Sequence, residues 1–359
     1  MRSLKKISVL LFLILLPTIA LTKQDNKGDV IAVGQAVYDI FVHVSEDELN
    51  QIINSLDVKK GRVVRLSDAQ FQEVSSKIDK NLHKKIAKEK AGGAAANTLS
   101  GISSLGGNTG LIGIVGSDNF GNRFVHDMKK DGVEVYLTVS NGDKTTTVIS
   151  LITPDAERTM LVYLGAAEHV TINNLNYNPI TDYKMILCEA YMWDGDNSSQ
   201  AIKKALSLAK KQKIPAAFSL SDEHLVARYR KDFLELLGTI DILFGNEYEM
   251  KSLFETNDID KLLDKLSRSV NIGILTIGSK GAWIVTKHDK IYVPAIYVDK
   301  LIDTTGAGDM FAAGFLYGYT HGYSLKQSGE LGAKTAAQII QQVGAKPEEP
   351  LKYLLKSTN

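Results

Sequence analysis

One cysteine, Cys188, in 359 residues leaves no partner for an internal disulfide and no multi-thiolate metal site, and its setting in the apolar run MILCEAYMW reads as that of a buried core thiol. Neither sign of charge is in excess. Lys and Arg total 42 against 41 Asp and Glu, which offers no argument for nucleic acid or a membrane surface as partner. Any nucleotide bound is then a small molecule. The seven histidines are scattered without metal-ligand spacing, and the chain has no internal repeats or low-complexity tracts. The one long apolar run, ISVLLFLILL, follows Arg2, Lys5 and Lys6 and ends at Pro17 and a small-residue site at Ala20. Residues 1–28 therefore read as a secretory or organelle leader, or as a short anchor if uncut, and only then would a membrane be a partner.

What is present is an alternation. Short β-branched runs, VIAVG at 30–34, LIGIVG at 111–116, MILCEAY at 185–191, AAFSL at 216–220, IDILFG at 240–245 and ILTIGSKGAWIV at 274–285, are separated by helical patterns at 201–211, 229–238 and 259–270. Strands spaced by helices of this length predict an α/β fold, a mostly parallel sheet covered on both faces. Two regions depart from it, about 40–66 and 133–164. Their period-2 character and the Asn141-Gly142 turn predict a small β-sheet lid. The main domain is expected over 29–345, with 346–359 as a solvated tail.

The stretch DTTGAGDMFAAGF at 303–315 carries the chemistry. Glycines at 306 and 308 let the backbone approach a ligand, and the helical spacing that follows predicts free amides of Gly306, Ala307 and Gly308 at a helix N-terminus, an anion site. A carboxylate at Asp309 competes with an anion unless its task is to accept a proton beside it. Asp309 could then deprotonate an alcohol attacking phosphorus while the amides neutralise the transferred group; the bland alternative is a helix cap. No Gly-Lys-Ser/Thr follows, so this is not a P-loop.

This stretch resembles the C-terminal signature of the PfkB-type carbohydrate kinases, the ribokinase and adenosine kinase family, and AGGAAANTLSGISSLGG at 91–107 resembles the N-terminal one. The resemblance covers nearly all of 29–345. It implies a three-layer αβα, Rossmann-like (ribokinase-like) domain with a β lid, ATP and Mg²⁺ as cofactors, and a sugar or nucleoside as the small-molecule partner. Gly92 and Gly93 would hinge the lid, while Asn97 and Asp39 would bind substrate hydroxyls. Gln35 stands where the adenosine kinase branch usually has Asn, one methylene shorter. Asn246 and Glu249 in NEYEMKSLF read alone as a capping box; in family order they match the motif holding Mg²⁺ and its waters. Thr276, Gly278, Gly281, Thr304 and Gly344 would contact the nucleotide, and Asp303-Thr304 resembles a potassium (K⁺) site of many members. Arg158, on a lid strand, resembles the arginine that meets the phosphate in transfer; a surface ion pair with Glu157 or Asp155 is the alternative. Tyr191 and Trp193 are candidates for stacking on a base or sugar.

The long stretch between Asp39 and Gly92, ERTM in the lid and FSLSDEHLVARYR favour a nucleoside, adenosine-like, as acceptor. Ribose, fructose or another furanose comes second, and a non-catalytic sugar- or nucleoside-binding protein third. ATP chemistry implies the cytoplasm; the leader leaves export, anchoring or organelle targeting open. Monomer and homodimer are both compatible with the lid.

Overall fold

The computed structural model describes residues 27–357 apart from residues 57, 156 and 196. The expected leader lies outside the described residues up to residue 26, and Gly28 already opens the first strand. Among the described residues no helix is long and apolar enough to cross a membrane.

Fourteen strands are described: β1 (Gly28–Val33), β2 (Val37–His43), β3 (Val63–Arg65), β4 (Ile86–Gly92), β5 (Thr109–Gly116), β6 (Val133–Ser140), β7 (Thr146–Ile152), β8 (Arg158–Tyr163), β9 (Tyr183–Glu189), β10 (Ala216–Ser219), β11 (Ile242–Asn246), β12 (Ile272–Thr276), β13 (Ala282–Val285) and β14 (Lys290–Val293). The α-helices are α1 (Glu46–Ile53), α2 (Asp68–Lys77), α3 (Ala94–Leu105), α4 (Asn119–Lys130), α5 (Ser198–Lys211), α6 (Glu223–Arg228), α7 (Arg230–Leu236), α8 (Glu247–Phe254), α9 (Ile259–Ser269), α10 (Ala307–Thr320) and α11 (Leu325–Ile339).

Nine strands form one sheet in the order β14-β13-β12-β11-β10-β9-β1-β5-β6, and five form a second in the order β3-β8-β7-β2-β4. The large sheet is parallel from β6 to β12 and antiparallel only through β13 and β14. Its central strands β1, β5 and β9 are almost wholly buried, as a parallel sheet covered on both faces requires. One face packs with α3, α4, α10 and α11, and the other with α5 to α9, giving the three-layer α/β architecture. From β1 the chain builds outward through β5 and β6, then returns to the other side of β1 for β9 to β12. The strand order thus reverses beside β1, and open α/β sheets bind ligands outside the strand C-termini at such a point.

Two expectations are corrected. The run VEVYLTV is not lid material: β6 pairs in parallel with β5 along eight residues at the edge of the large sheet, and its half-exposed edge position produces the alternation that resembles a hairpin. The lid instead gains β4, which pairs antiparallel with β2. The expected tail, over its described residues up to 357, is only partly solvated, with Glu348, Glu349 and Pro350 exposed. Lys346 and Leu351 are buried, and residues Leu351–Ser357 form a short 3₁₀ turn whose Leu351 amide donates to Ser104 of α3.

Candidate active site

Helix α10 is apolar nearly all round and buried from Met310 to Gly318, the signature of a helix enclosed by other elements. A Cβ on Gly101 of α3 would stand 2.6 Å from Ala313 of α10, and one on Gly314 of α10 2.5 Å from Thr335 of α11. This close packing fixes where the first turn of α10 points. Gly306 takes the left-handed conformation, φ 77°, as its N-cap. A side chain there would also collide with Ala345, so the turn needs glycine twice over. Of the three amides expected to be free, that of Ala307 donates to the Thr304 carbonyl at 3.2 Å, which leaves Gly306 and Gly308 as the donors of the turn. Gly308 is exposed, with open space where a Cβ would stand.

Asp309, in that same turn, is half-buried. Burial pushes its carboxyl up to about 6, against the opposing effect of a hydrogen bond from Asn97. Asn97 Nδ2 donates to Asp309 Oδ2 at 2.9 Å, and Thr98 Oγ1 donates to the Asp309 carbonyl at 3.3 Å. The other end of the Asn97 amide, Oδ1, is buried without a partner among the described residues, an acceptor held ready beside the carboxylate.

Helix α3 starts at Gly93, φ 97°, because a Cβ there would lie 2.9 Å from the Gln35 carbonyl; one on Gly92 would lie 1.9 Å from Asp39 Oδ2. The glycine pair therefore lets the lid strand β4, the loop after β1 and the Asp39 carboxylate meet. Burial raises Asp39 to about 6, with Lys90 and Lys346 acting the other way. The sequence reading missed the group that ties these parts together. Glu189, buried at the end of β9, accepts from the amides of Gln35 and Ala95, both at 2.7 Å. Burial lifts it to about 7 despite those two bonds, with the Asp309 charge adding to the rise. Its signal was a carboxylate closing an apolar strand. The Gln35 side chain donates to the Tyr191 carbonyl at 2.8 Å. Tyr191 is half-buried, and burial, then Asp222, Asp309, Glu189 and Glu249, raise its phenol. Trp193 is buried, packed edge-on against Phe218 and Phe233.

Asn246 and Glu249 form a reciprocal capping box. The Asn246 amide and Nδ2 donate to the two Glu249 oxygens at 2.9 and 2.6 Å, and the Glu249 amide donates back at 3.0 Å. Glu249 is nonetheless raised to about 7, first by burial and then, against the Asn246 bond, by Asp222, Asp309 and Glu223. Negative charge thus gathers along the strand ends, and each carboxylate oxygen keeps a second lone pair. Such a donor set suits a divalent cation that retains its waters, although among the described residues no three metal-ligating side chains converge. Thr276 ends β12, and the β12–β13 turn carries Gly278 and Gly281, both with positive φ. Thr304 is exposed in the turn before α10, whereas Gly344 is buried.

Arg158 opens lid strand β8 and ties the lid sheet to the turn before α10. Its Nη1 donates to Thr305 Oγ1 at 2.8 Å and its Nη2 pairs with Asp303 Oδ2 at 3.1 Å; the expected alternative partners Glu157 and Asp155 are not its ion pair. Burial works to raise Asp303, but the Thr305 hydroxyl and amide, the Gly344 amide and Arg158 outweigh it and hold the carboxyl at about 2.

The model of the pfkB family of carbohydrate kinases matches residues 63–351. The chain is 31% identical to a nucleoside kinase of Methanocaldococcus jannaschii over 267 residues, 74% of this chain and 83% of that one. It is 27% identical to a ribokinase of Lactococcus lactis over 72% of this chain and 82% of that enzyme. Among solved structures, an adenosine kinase from Sinorhizobium meliloti superposes with a TM-score of 0.82 at 32% identity, covering 93% of this chain and all (100%) of the other.

Proposed function

The chain belongs to the pfkB family of carbohydrate kinases, phosphotransferases that act on a hydroxyl acceptor, and from that premise we propose that its acceptor is a nucleoside of the adenosine type, phosphorylated on its primary hydroxyl by ATP. The observation that carries the mechanism is the contact between Asn97 and Asp309 at the mouth of the Gly306–Gly308 turn. The nucleoside assignment draws on the nucleoside and adenosine kinases among the relatives.

In this reading Asp39, Asn97 and Gln35 hold the sugar hydroxyls. Asp309 takes the proton of the attacking hydroxyl, its raised pKa bringing it nearer the working pH of a general base. The amides of Gly306 and Gly308 and the dipole of α10 neutralise charge as it develops on the transferred group, and Arg158 leaves Asp303 to join them. Thr276, Gly278, Gly281, Thr304 and Gly344 flank the nucleotide. Asn246 and Glu249 would hold Mg²⁺ through its waters; the ion supplies charge neutralisation at the phosphate oxygens. Lid contact through Arg158 keeps water from the phosphoryl group.

A sugar kinase is the second reading, favoured by the ribokinase relative. The test is turnover of residues 29–359 with ATP and Mg²⁺ across nucleosides, ribose and fructose. The nucleoside reading expects the highest kcat/KM with adenosine. A highest value with ribose or fructose overturns it, and binding without turnover of any acceptor overturns catalysis itself.

A further inference from the structure

Asp303 anchors the turn that carries the anion hole, and it has two cations within its field. Its Oδ1 accepts from the amide and hydroxyl of Thr305, and its Oδ2 from the Gly344 amide at 2.9 Å and from Arg158. Both terminal nitrogens of Arg158 are committed, one to Thr305 and one to Asp303. Reaching a phosphoryl group means giving up part of this, and a buried carboxylate that loses its cation is costly.

Lys90 stands where it can answer that loss. It lies on β4 opposite Asp39, and its Nζ is buried with no hydrogen-bond partner among the described residues. A Cβ on Gly344 would lie 2.1 Å from that Nζ, so the ammonium rests against the very residue whose amide holds Asp303. The charged groups that face it are Asp39 and Asp303, which favour its charge, and Lys88 and Lys346, which oppose it; burial is the largest influence and brings it down to about 8. The neighbouring lysines are spoken for, Lys346 by Asp131 and Lys88 by Glu348. Among the described residues Lys90 alone of the three has no ion pair; its Nζ lies 5.8 Å from the centre of the Phe41 ring, a contact that replaces only part of the hydration a buried ammonium gives up.

We propose that Lys90 is the reserve counter-ion of Asp303: it neutralises that carboxylate when Arg158 moves onto the phosphoryl group, so the turn needs no bound monovalent cation. Lys90 is a positioning residue, acting on transfer through Asp303. The inference rests on the kinase reading of Arg158, and it replaces the potassium ion expected at Asp303-Thr304 by a side chain of the protein itself.

The test compares wild type, Lys90→Met and Lys90→Arg in KCl and in tetramethylammonium chloride of equal ionic strength, the latter cation being too large for the site. Melting temperature is read first because it needs no turnover. Wild type should melt alike in both salts, whereas Lys90→Met should be stabilised by K⁺ that enters the vacated place. Turnover is read second. Lys90→Met should lose about tenfold or more in kcat at saturating acceptor in tetramethylammonium, and K⁺ or Lys90→Arg should restore most of it. Wild type that requires K⁺, or Lys90→Met that is indifferent to K⁺ in both readings, overturns the proposal. Should no acceptor turn over, the kinase reading fails while the melting data still decide the site. Should Lys90→Met not fold, the response of wild type and Lys90→Arg to K⁺ decides it.

Discussion

Asn97 and Asp309 stand 212 positions apart in the chain, yet the side-chain amide of one donates to the carboxylate of the other at 2.9 Å. The bond joins the first turns of α3 and α10 and tempers the effect of burial on the ionisation of the proposed base. Burial raises Asp309 to about 6, and Asn97 opposes that rise by stabilising the ionised form. Because a general base works only when deprotonated, kcat/KM should climb with pH through about 6 and level above it. Asn97→Ala removes the donor, so the midpoint of that limb should move to higher pH. A limb that stays in place, or moves down, argues against Asp309 as the titrating group.

Gly308 separates stability from activity. It sits within α10 with open space before it, so Ala is compatible with its backbone and should stabilise the helix by about 0.5–1 kcal/mol at most. The added methyl projects where the phosphoryl group would lie. Gly308→Ala should therefore melt at or above the wild-type temperature while kcat/KM for ATP falls about tenfold or more, a loss of transition-state stabilisation of about 1.4 kcal/mol. Differential scanning calorimetry beside steady-state kinetics checks both halves; undiminished kcat/KM would place the phosphate elsewhere.

Glu189 holds two buried amides and touches nothing in transfer. Glu189→Ala leaves the Gln35 and Ala95 donors unpaired, each costing roughly 1–3 kcal/mol, and should raise acceptor KM by loosening the loop after β1. Its folded pKa lies above the unfolded value, so the stability it contributes is complete below about 4.5 and is lost as pH rises through about 7. Wild type should thus become less stable between pH 5 and 8, and the variant should show a shallower decline in urea midpoints over that range. An identical slope would mean that Glu189 is not the group titrating there.

Much of this was legible in advance for physical reasons. Buried parallel strands are continuous apolar runs, so β1, β5 and β9 to β12 stand out, and DTTGAGD is conspicuous because glycine and carboxylate together at a helix start are chemically odd. β4 was hidden by its composition: IAKEKAG is charged because Lys88 and Glu89 make surface ion pairs with Glu348 and Arg123, while Lys90 is buried against Gly344. Glu189 was hidden inside an apolar strand, its meaning supplied only by amides from two other segments. The role of Asp303 in drawing Arg158 to the turn depends on a lid and a loop far apart in sequence.

The most direct test is the turnover of Asp309→Asn, which keeps the shape of the side chain and removes its ability to take a proton. ATP affinity should remain within a few-fold of wild type while kcat falls by about a hundredfold or more. A variant whose kcat stays within a few-fold of wild type would contradict the assignment of Asp309 as the base, and with it the account of how this turn transfers a phosphoryl group.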